Sequence, residues 1–150
     1  MDAGVTTIAY CNGVIAYDSR SCRGTTIIDD DFDKRMEHEG VSFFITGAIC
    51  DASKLIAAYF VGESPAGSQI ECSALVVADG QLKLIGVDSD TGLWIENLQL
   101  NKPYCIGSGS HHAWTALDMG CSAYKAVELA SRRDVGTGGR IRTYQVAKPE

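Results

Sequence analysis

The chain lacks an excess of basic charge, an apolar run long enough for a bilayer, and any paired-cysteine motif. Each absence closes off a class of function. Thirteen Lys and Arg against nineteen Asp and Glu leave a formal charge of −6. That is the wrong sign for a protein that binds nucleic acid by displacing counterions from phosphates. The longest apolar stretches, 41–50 and 55–61, are separated by Asp51 and Lys54. Neither approaches the roughly 20 residues of a membrane span. The opening Met1-Asp2-Ala3-Gly4 carries neither the basic nor the apolar region of a secretory signal. The six cysteines (Cys11, Cys22, Cys50, Cys72, Cys105 and Cys121) contain no C-x-x-C pair. They read as reduced thiols of a cytoplasmic protein, and zinc ligation through cysteine is not expected. No nucleic-acid or membrane partner is expected either.

What remains is an ordinary globular composition. The 150 residues are 45% hydrophobic and 21% charged, enough for one domain with a real core. There is no repeat, linker or low-complexity segment. Residues 6–11 are rich in β-formers, run into Asn12-Gly13 and resume as Val14-Ile15-Ala16-Tyr17. Asn-Gly between such runs signals a two-residue hairpin. Counting outward from that turn places Cys11 opposite Val14, Thr7 opposite Asp18 and Thr6 opposite Ser19. Further strands are expected at 25–28, 41–46, 72–78, 82–87, 95–100, 104–106 and 140–146, with Asp79-Gly80 turning a second hairpin. Helices are expected at 51–61, at 111–119 stopped by Gly120, and from Ala123 to about Arg133 capped by Ser122. Antiparallel hairpins with clustered helices point to an α+β layered fold.

Four pieces stand out for chemistry: Thr6-Thr7, Asp18-Ser19-Arg20, Lys34, and the turns Gly107-Ser108-Gly109-Ser110 and Asp134-Val135-Gly136-Thr137-Gly138-Gly139. Each has a bland reading by itself, as β-propensity, a strand end, a charge balancing acids, or a turn. Their order is more specific. The TTIAY opening, the VIAYDSR return, a lysine sixteen residues after that aspartate, IGSGS and RRDVGTGG resemble the proteasome β-subunit and HslV peptidase family of N-terminal nucleophile hydrolases. The resemblance runs from Thr6 to about Val146 and is closest to the compact bacterial and phage forms.

The resemblance implies a four-layer αββα sandwich of two antiparallel sheets, spanning residues 6–150 as one domain after a propeptide-like extension of residues 1–5. It implies a threonine peptidase in which Thr6, freed at its amine, attacks the peptide carbonyl. Asp18 matches the aspartate that pairs with the catalytic lysine, Lys34. Ser108 matches the serine beside the amine, Asp134 and Thr137 its supporting groups, and Gly47 the backbone donor to the oxyanion. The pocket for the residue before the scissile bond falls on Ser21, Phe32, Met36, Ile45 and Ile49. A homo-oligomeric ring, stacked with another, would enclose the sites and admit peptides or unfolded proteins, fed in family members by an AAA+ ATPase unfoldase. No metal or other cofactor is called for.

The chemistry fits these residue types. A threonine hydroxyl needs an adjacent base, either its own α-amine or a lysine of lowered pKa. An α-amine titrates near about 7.7–8.0, suited to proton shuttling at neutral pH. Three departures from the family pattern set further expectations. The first hairpin is shorter by an even number of residues, which keeps Thr7 facing Asp18 where an odd loss would flip one strand. Residues 51–70 have room for one helix and a loop where the family has two long helices, so the first helical layer is shortened. Val5 stands before Thr6, with Gly4 one place back, and a β-branched residue at that bond resists a strained cleavage conformation.

His111-His112 lacks a third ligand at sensible spacing, the acids 29–33 read as a solvated edge, and Trp94 and Trp114 as core or interface residues. Two other classes stay open: an unprocessed structural or ligand-binding module of the same fold, and an amidase acting on small amides.

Overall fold

The computed structural model describes residues 6–64 and 67–146. The expected extension 1–5 and the tail 147–150 lie outside the described residues. Strands β1 (Ile8–Cys11) and β2 (Val14–Tyr17) form the first hairpin, with Cys11 opposite Val14. Asn12 takes the left-handed conformation, φ 50°, that a two-residue turn of this hand requires. The order continues with β3 (Ser21–Arg23), β4 (Thr26–Asp29), β5 (Arg35–His38), β6 (Val41–Gly47), α1 (Ala52–Val61), β7 (Cys72–Ala78), β8 (Gln81–Asp88), β9 (Gly92–Leu98), β10 (Tyr104–Ile106), α2 (Ser110–Asp118), α3 (Ala123–Ser131) and β11 (Arg142–Gln145). The architecture is α+β.

Among the described residues the strands form three antiparallel sheets: β10-β1-β2-β11, β5-β6-β7-β8-β9, and the small β3-β4 pair. Side chains alternate across each strand with period two, and the core follows that alternation. Ile8, Tyr10, Ile15 and Tyr17 point from the four-stranded sheet to Phe44, Leu75, Leu82 and Leu84 of the five-stranded one. Their neighbours Ala9 and Ala16 point the other way, where small side chains let α2 and α3 approach through Ala113, Ala116, Ala126 and Ala130. On the opposite face of the five-stranded sheet, Phe43, Ile45, Val76 and Ile85 pack with Leu55 of α1. Ser122 caps α3, its hydroxyl accepting from the Lys125 N–H at 3.1 Å.

Several elements differ from the sequence reading. β3 and β5 are absent from it, because three- and four-residue strands rich in Arg, Ser and Glu carry no apolar alternation. The β5–β6 hairpin turns on Glu39-Gly40, with Glu39 at φ 51°, a pairing whose turn signal is weaker than Asn-Gly. A short 3₁₀ turn, Ile49–Asp51, precedes α1, which begins at Ala52. The acids at 29–33 are exposed, as expected of a solvated edge, but Asp30 and Asp31 are also ion-paired: Asp30 with Arg20 at 2.8 Å, and Asp31 with Arg140 and Arg142 at 3.2 and 2.9 Å. No described helix is long and apolar enough to cross a membrane.

Candidate active site

The site forms where the first hairpin ends. Thr7 lies across from Asp18, whose N–H donates to the Thr7 carbonyl at 3.3 Å. Thr6, the next residue out, meets Asp18 through its side chain. The Asp18 carboxylate is fully buried, and five donors surround it. Oδ1 accepts from the Thr6 hydroxyl, the Thr7 N–H at 3.1 Å and Lys34 Nζ at 2.7 Å. Oδ2 accepts from the N–H groups of Gly138 at 2.9 Å and Arg20 at 3.3 Å. Buried charge is tolerable only with this degree of pairing.

Lys34 reaches the site from the loop before β5, held there because its carbonyl accepts from the Ile45 N–H at 3.1 Å. Its ammonium also donates to the Thr6 hydroxyl. Burial pulls the Lys34 pKa below the ordinary lysine value, and the negative charge of Asp18 and its hydrogen bond push back. The Thr6 oxygen therefore sits against a cation on one side and a carboxylate on the other. The ammonium favours negative charge on that oxygen, whereas the carboxylate, as acceptor, holds the hydroxyl proton until a base takes it.

A second group gathers on the Thr6 main chain. The Ser108 hydroxyl lies 3.1 Å from Thr6 N, accepting from it, and donates to Asp134 Oδ2 at 2.6 Å. Thr137 also donates to Asp134 Oδ2 at 2.6 Å and meets the Thr7 hydroxyl at 2.7 Å. Gly109 N–H donates to the Thr6 carbonyl at 3.2 Å. At Gly107 the chain passes so close to that carbonyl that a Cβ would collide with it. Gly47 lies at the mouth of the site with φ 104°, and a Cβ there would sit 2.5 Å from the Glu71 carbonyl. Both positions demand glycine on steric grounds.

Thr6, Asp18, Lys34, Ser108, Asp134 and Thr137 thus form one continuous hydrogen-bonded cluster, with Gly47 beside it. Next to Lys34 and Gly47 opens a cavity of about 370 Å³ lined by Ser21, Phe32, Ile45 and Ile49. Met36 does not line it. Met36 shares the sheet face of Phe43 and packs into the cluster under α1. The backbone donors of Arg20 and Gly138, and the Thr7 hydroxyl, joined the site only in three dimensions. The glycine run after Asp134 was the available signal, since a Cβ at Gly138 would sit 2.4 Å from the Arg20 guanidinium. Among the described residues, no three or more His, Cys, Asp or Glu side chains are placed to hold a metal ion.

Neither a scan of protein-family models nor a search of curated proteins gives a match. The backbone, however, is similar to solved structures over nearly its whole length. HslV from Trypanosoma brucei superimposes with a TM-score of 0.68 at 16% identity, covering 93% of this chain and 97% of that one. BPH from Thiobacillus denitrificans, in complex with epoxomicin, gives 0.64 at 15% identity, covering 95% and 99%. A second structure of Thiobacillus denitrificans BPH gives 0.63 at 17%, covering 96% and 99%. The chain has an HslV-like, proteasome-type fold.

Proposed function

We propose that this protein is a threonine peptidase subunit whose nucleophile is Thr6, exposed by removal of residues 1–5. The observation that carries this reading is the Thr6 hydroxyl held between Lys34 and Asp18 while its own nitrogen lies 3.1 Å from Ser108. In the proposed reaction the freed Thr6 amine takes the hydroxyl proton, and Lys34, fixed by Asp18, stabilises the resulting oxygen anion. Thr6 Oγ1 attacks the peptide carbonyl. The Gly47 N–H stabilises the tetrahedral oxygen, a contribution worth several kcal/mol at such sites. Ser108, backed by Asp134 and Thr137, orients the amine as it passes the proton to the leaving nitrogen. Water then releases the acyl group from Thr6.

The architecture in this reading is the four-layer αββα sandwich of N-terminal nucleophile hydrolases, one domain over residues 6–150, with α1 as a shortened first helical layer. The chain would assemble into closed rings in the cytoplasm and take peptides or unfolded proteins, delivered by an ATPase unfoldase. A ring-sized particle of six or seven copies is expected by light scattering at micromolar concentration. A monomer there would count against enclosure and favour a binding module of the same fold.

The test of the activity is hydrolysis of fluorogenic peptides, with epoxomicin, the compound bound by one structural neighbour, as the blocking reagent. The expected preference at the residue before the scissile bond is hydrophobic first, basic second and acidic last. Phe32, Ile45 and Ile49 offer apolar walls, and burying a Leu- or Phe-sized side chain gains roughly 1.5–3 kcal/mol. Asp29, at the end of β4, lies exposed and would assist a basic residue. Equal turnover across the three classes would show that this cavity is not the specificity pocket.

A further inference from the structure

A second cavity, of about 590 Å³, begins on the other side of Ser108. One wall comes from the β3–β4 hairpin through Cys22 and Ile27. The other comes from the last turn of α3 and the loop after it, through Arg132, Arg133 and Val135. It shares Arg20 and Cys22 with the 370 Å³ cavity described above. A peptide that fills the smaller cavity with the residue before the scissile bond has to continue past Thr6. Ser108, the hydroxyl between Thr6 N and Asp134, borders this larger cavity, and that is where a leaving amine would collect its proton.

The charges around the cavity are unequal in their engagement. Arg20 is occupied by Asp30, at 2.8 and 3.2 Å, and by the Val135 carbonyl at 3.0 Å. Asp134 is occupied by the hydroxyls of Ser108 and Thr137. Among the described residues Arg132 pairs only with Glu128, at 4.0 Å, and Glu128 is already held by Lys125 at 2.7 Å. Arg133 makes no side-chain hydrogen bond or ion pair among the described residues. Two arginines therefore line the cavity with guanidinium donors to spare, on a chain of net charge −6. Their planar, forked donors match a carboxylate.

We infer that this cavity receives the part of the substrate that follows the scissile bond, and that Arg132 and Arg133 select a carboxylate there. The inference rests on the peptidase reading and adds a substrate class to it: peptides neutral or apolar before the bond and acidic after it. The carboxylate has two possible sources, an acidic side chain or the peptide's own C-terminus.

Three peptides with leucine before the bond separate these sources. One carries glutamate two residues after the bond with an amidated end, one glutamine at that position with an amidated end, and one glutamine with a free C-terminus. Cleavage is followed by mass spectrometry at low ionic strength, because exposed charges are screened beyond about 10 Å at 0.1 M salt. The glutamate peptide is expected to be cleaved about fivefold more efficiently than its amidated glutamine partner. That factor corresponds to roughly 1 kcal/mol, the upper end for an exposed pair. The ratio should fall to unity in R132Q/R133Q and, independently of any variant's folding, as salt is raised on the unaltered chain. A gain confined to the free C-terminus supports the carboxylate site and assigns its source to the terminus. Equal efficiency of all three peptides overturns the inference while leaving the peptidase reading intact. If none is cleaved, the peptidase reading fails. Fluorescence anisotropy with labelled versions of the three peptides on Thr6→Ala then decides the site, tighter binding of a carboxylate peptide supporting it and equal binding overturning it.

Discussion

Replacing Thr6 with alanine is expected to leave residues 1–5 on the chain and to remove peptide hydrolysis, by a factor of the order of 10⁴ or more. The nucleophile and the group that would cut the preceding bond are the same oxygen in this reading, so one substitution abolishes both. Nothing else nearby can replace it. The Thr7 hydroxyl is turned to Thr137 at 2.7 Å, and Ser108 is committed to Asp134. Thr6→Ser keeps the hydroxyl and should keep measurable processing and turnover. Intact-mass measurement of the purified protein reads the first effect, and fluorogenic hydrolysis the second. An active protein that retains residues 1–5 would eliminate the role given to the Thr6 amine.

The second large effect is an asymmetry between the partners of the buried ion pair. Asp18→Ala is expected to cost about 3–5 kcal/mol of stability, the usual penalty for leaving one member of a buried pair uncompensated. It strands Lys34, which is 2% exposed, and leaves the Thr7, Arg20 and Gly138 N–H groups without their acceptor. Lys34→Met should cost clearly less, because three backbone N–H groups and the Thr6 hydroxyl still serve the carboxylate. Combining the two substitutions should recover part of the loss, with a coupling of roughly 0.5–3 kcal/mol. Both single variants should lose at least about 100-fold in turnover, since one removes the cation beside Thr6 Oγ1 and the other the carboxylate that holds it there. Chemical denaturation, with Asp18→Asn as a milder probe if Asp18→Ala fails to fold, measures the order. A greater loss for Lys34→Met than for Asp18→Ala would mean that the lysine, not the aspartate, anchors the cluster.

The Asp18 result bears on how the site is built. The carboxylate ties together the ends of β1 and β2, the loop before β5 and the loop before β11. Its donors lie from 2 to 120 residues away along the chain. Such a hub is both structural and chemical. The leaving-group cavity has a different character: its arginines sit on an exposed helix end and are free to vary the substrate without disturbing the cluster.

The local parts of this protein could be read from its residues in order. Asn12-Gly13 and Asp79-Gly80 fix two hairpins, and period-two alternation fixes their strands. Gly120 and Ser122 mark where α2 stops and α3 starts. These signals act over a few residues, through backbone sterics and one hydrogen bond, so sequence alone carries them. The hairpin register even places Thr7 against Asp18, one step from the site. The resemblance then selected Thr6, Asp18, Lys34, Ser108, Asp134 and Thr137, the residues that the fold brings into one hydrogen-bonded cluster.

What lies across the fold was decided by tertiary structure. β3 and β5 are short, polar strands that exist because β4 and β6 offer them ladders, and propensity has no hold on them. The acids at 29–33 stay exposed, but Asp31 gains its ion pairs only because β11 and the loop before it bring Arg142 and Arg140 beside it. Met36 packs under α1 away from the expected pocket, whereas Ile45, on the same sheet face, and Ile49 also reach the cavity. The two arginines after α3 acquire meaning only when the chain returns Ser108 to their side. Turn chemistry and alternation are properties of neighbouring residues, but a site whose parts are 102 residues apart, as Thr6 and Ser108 are, exists only once the sheets have stacked.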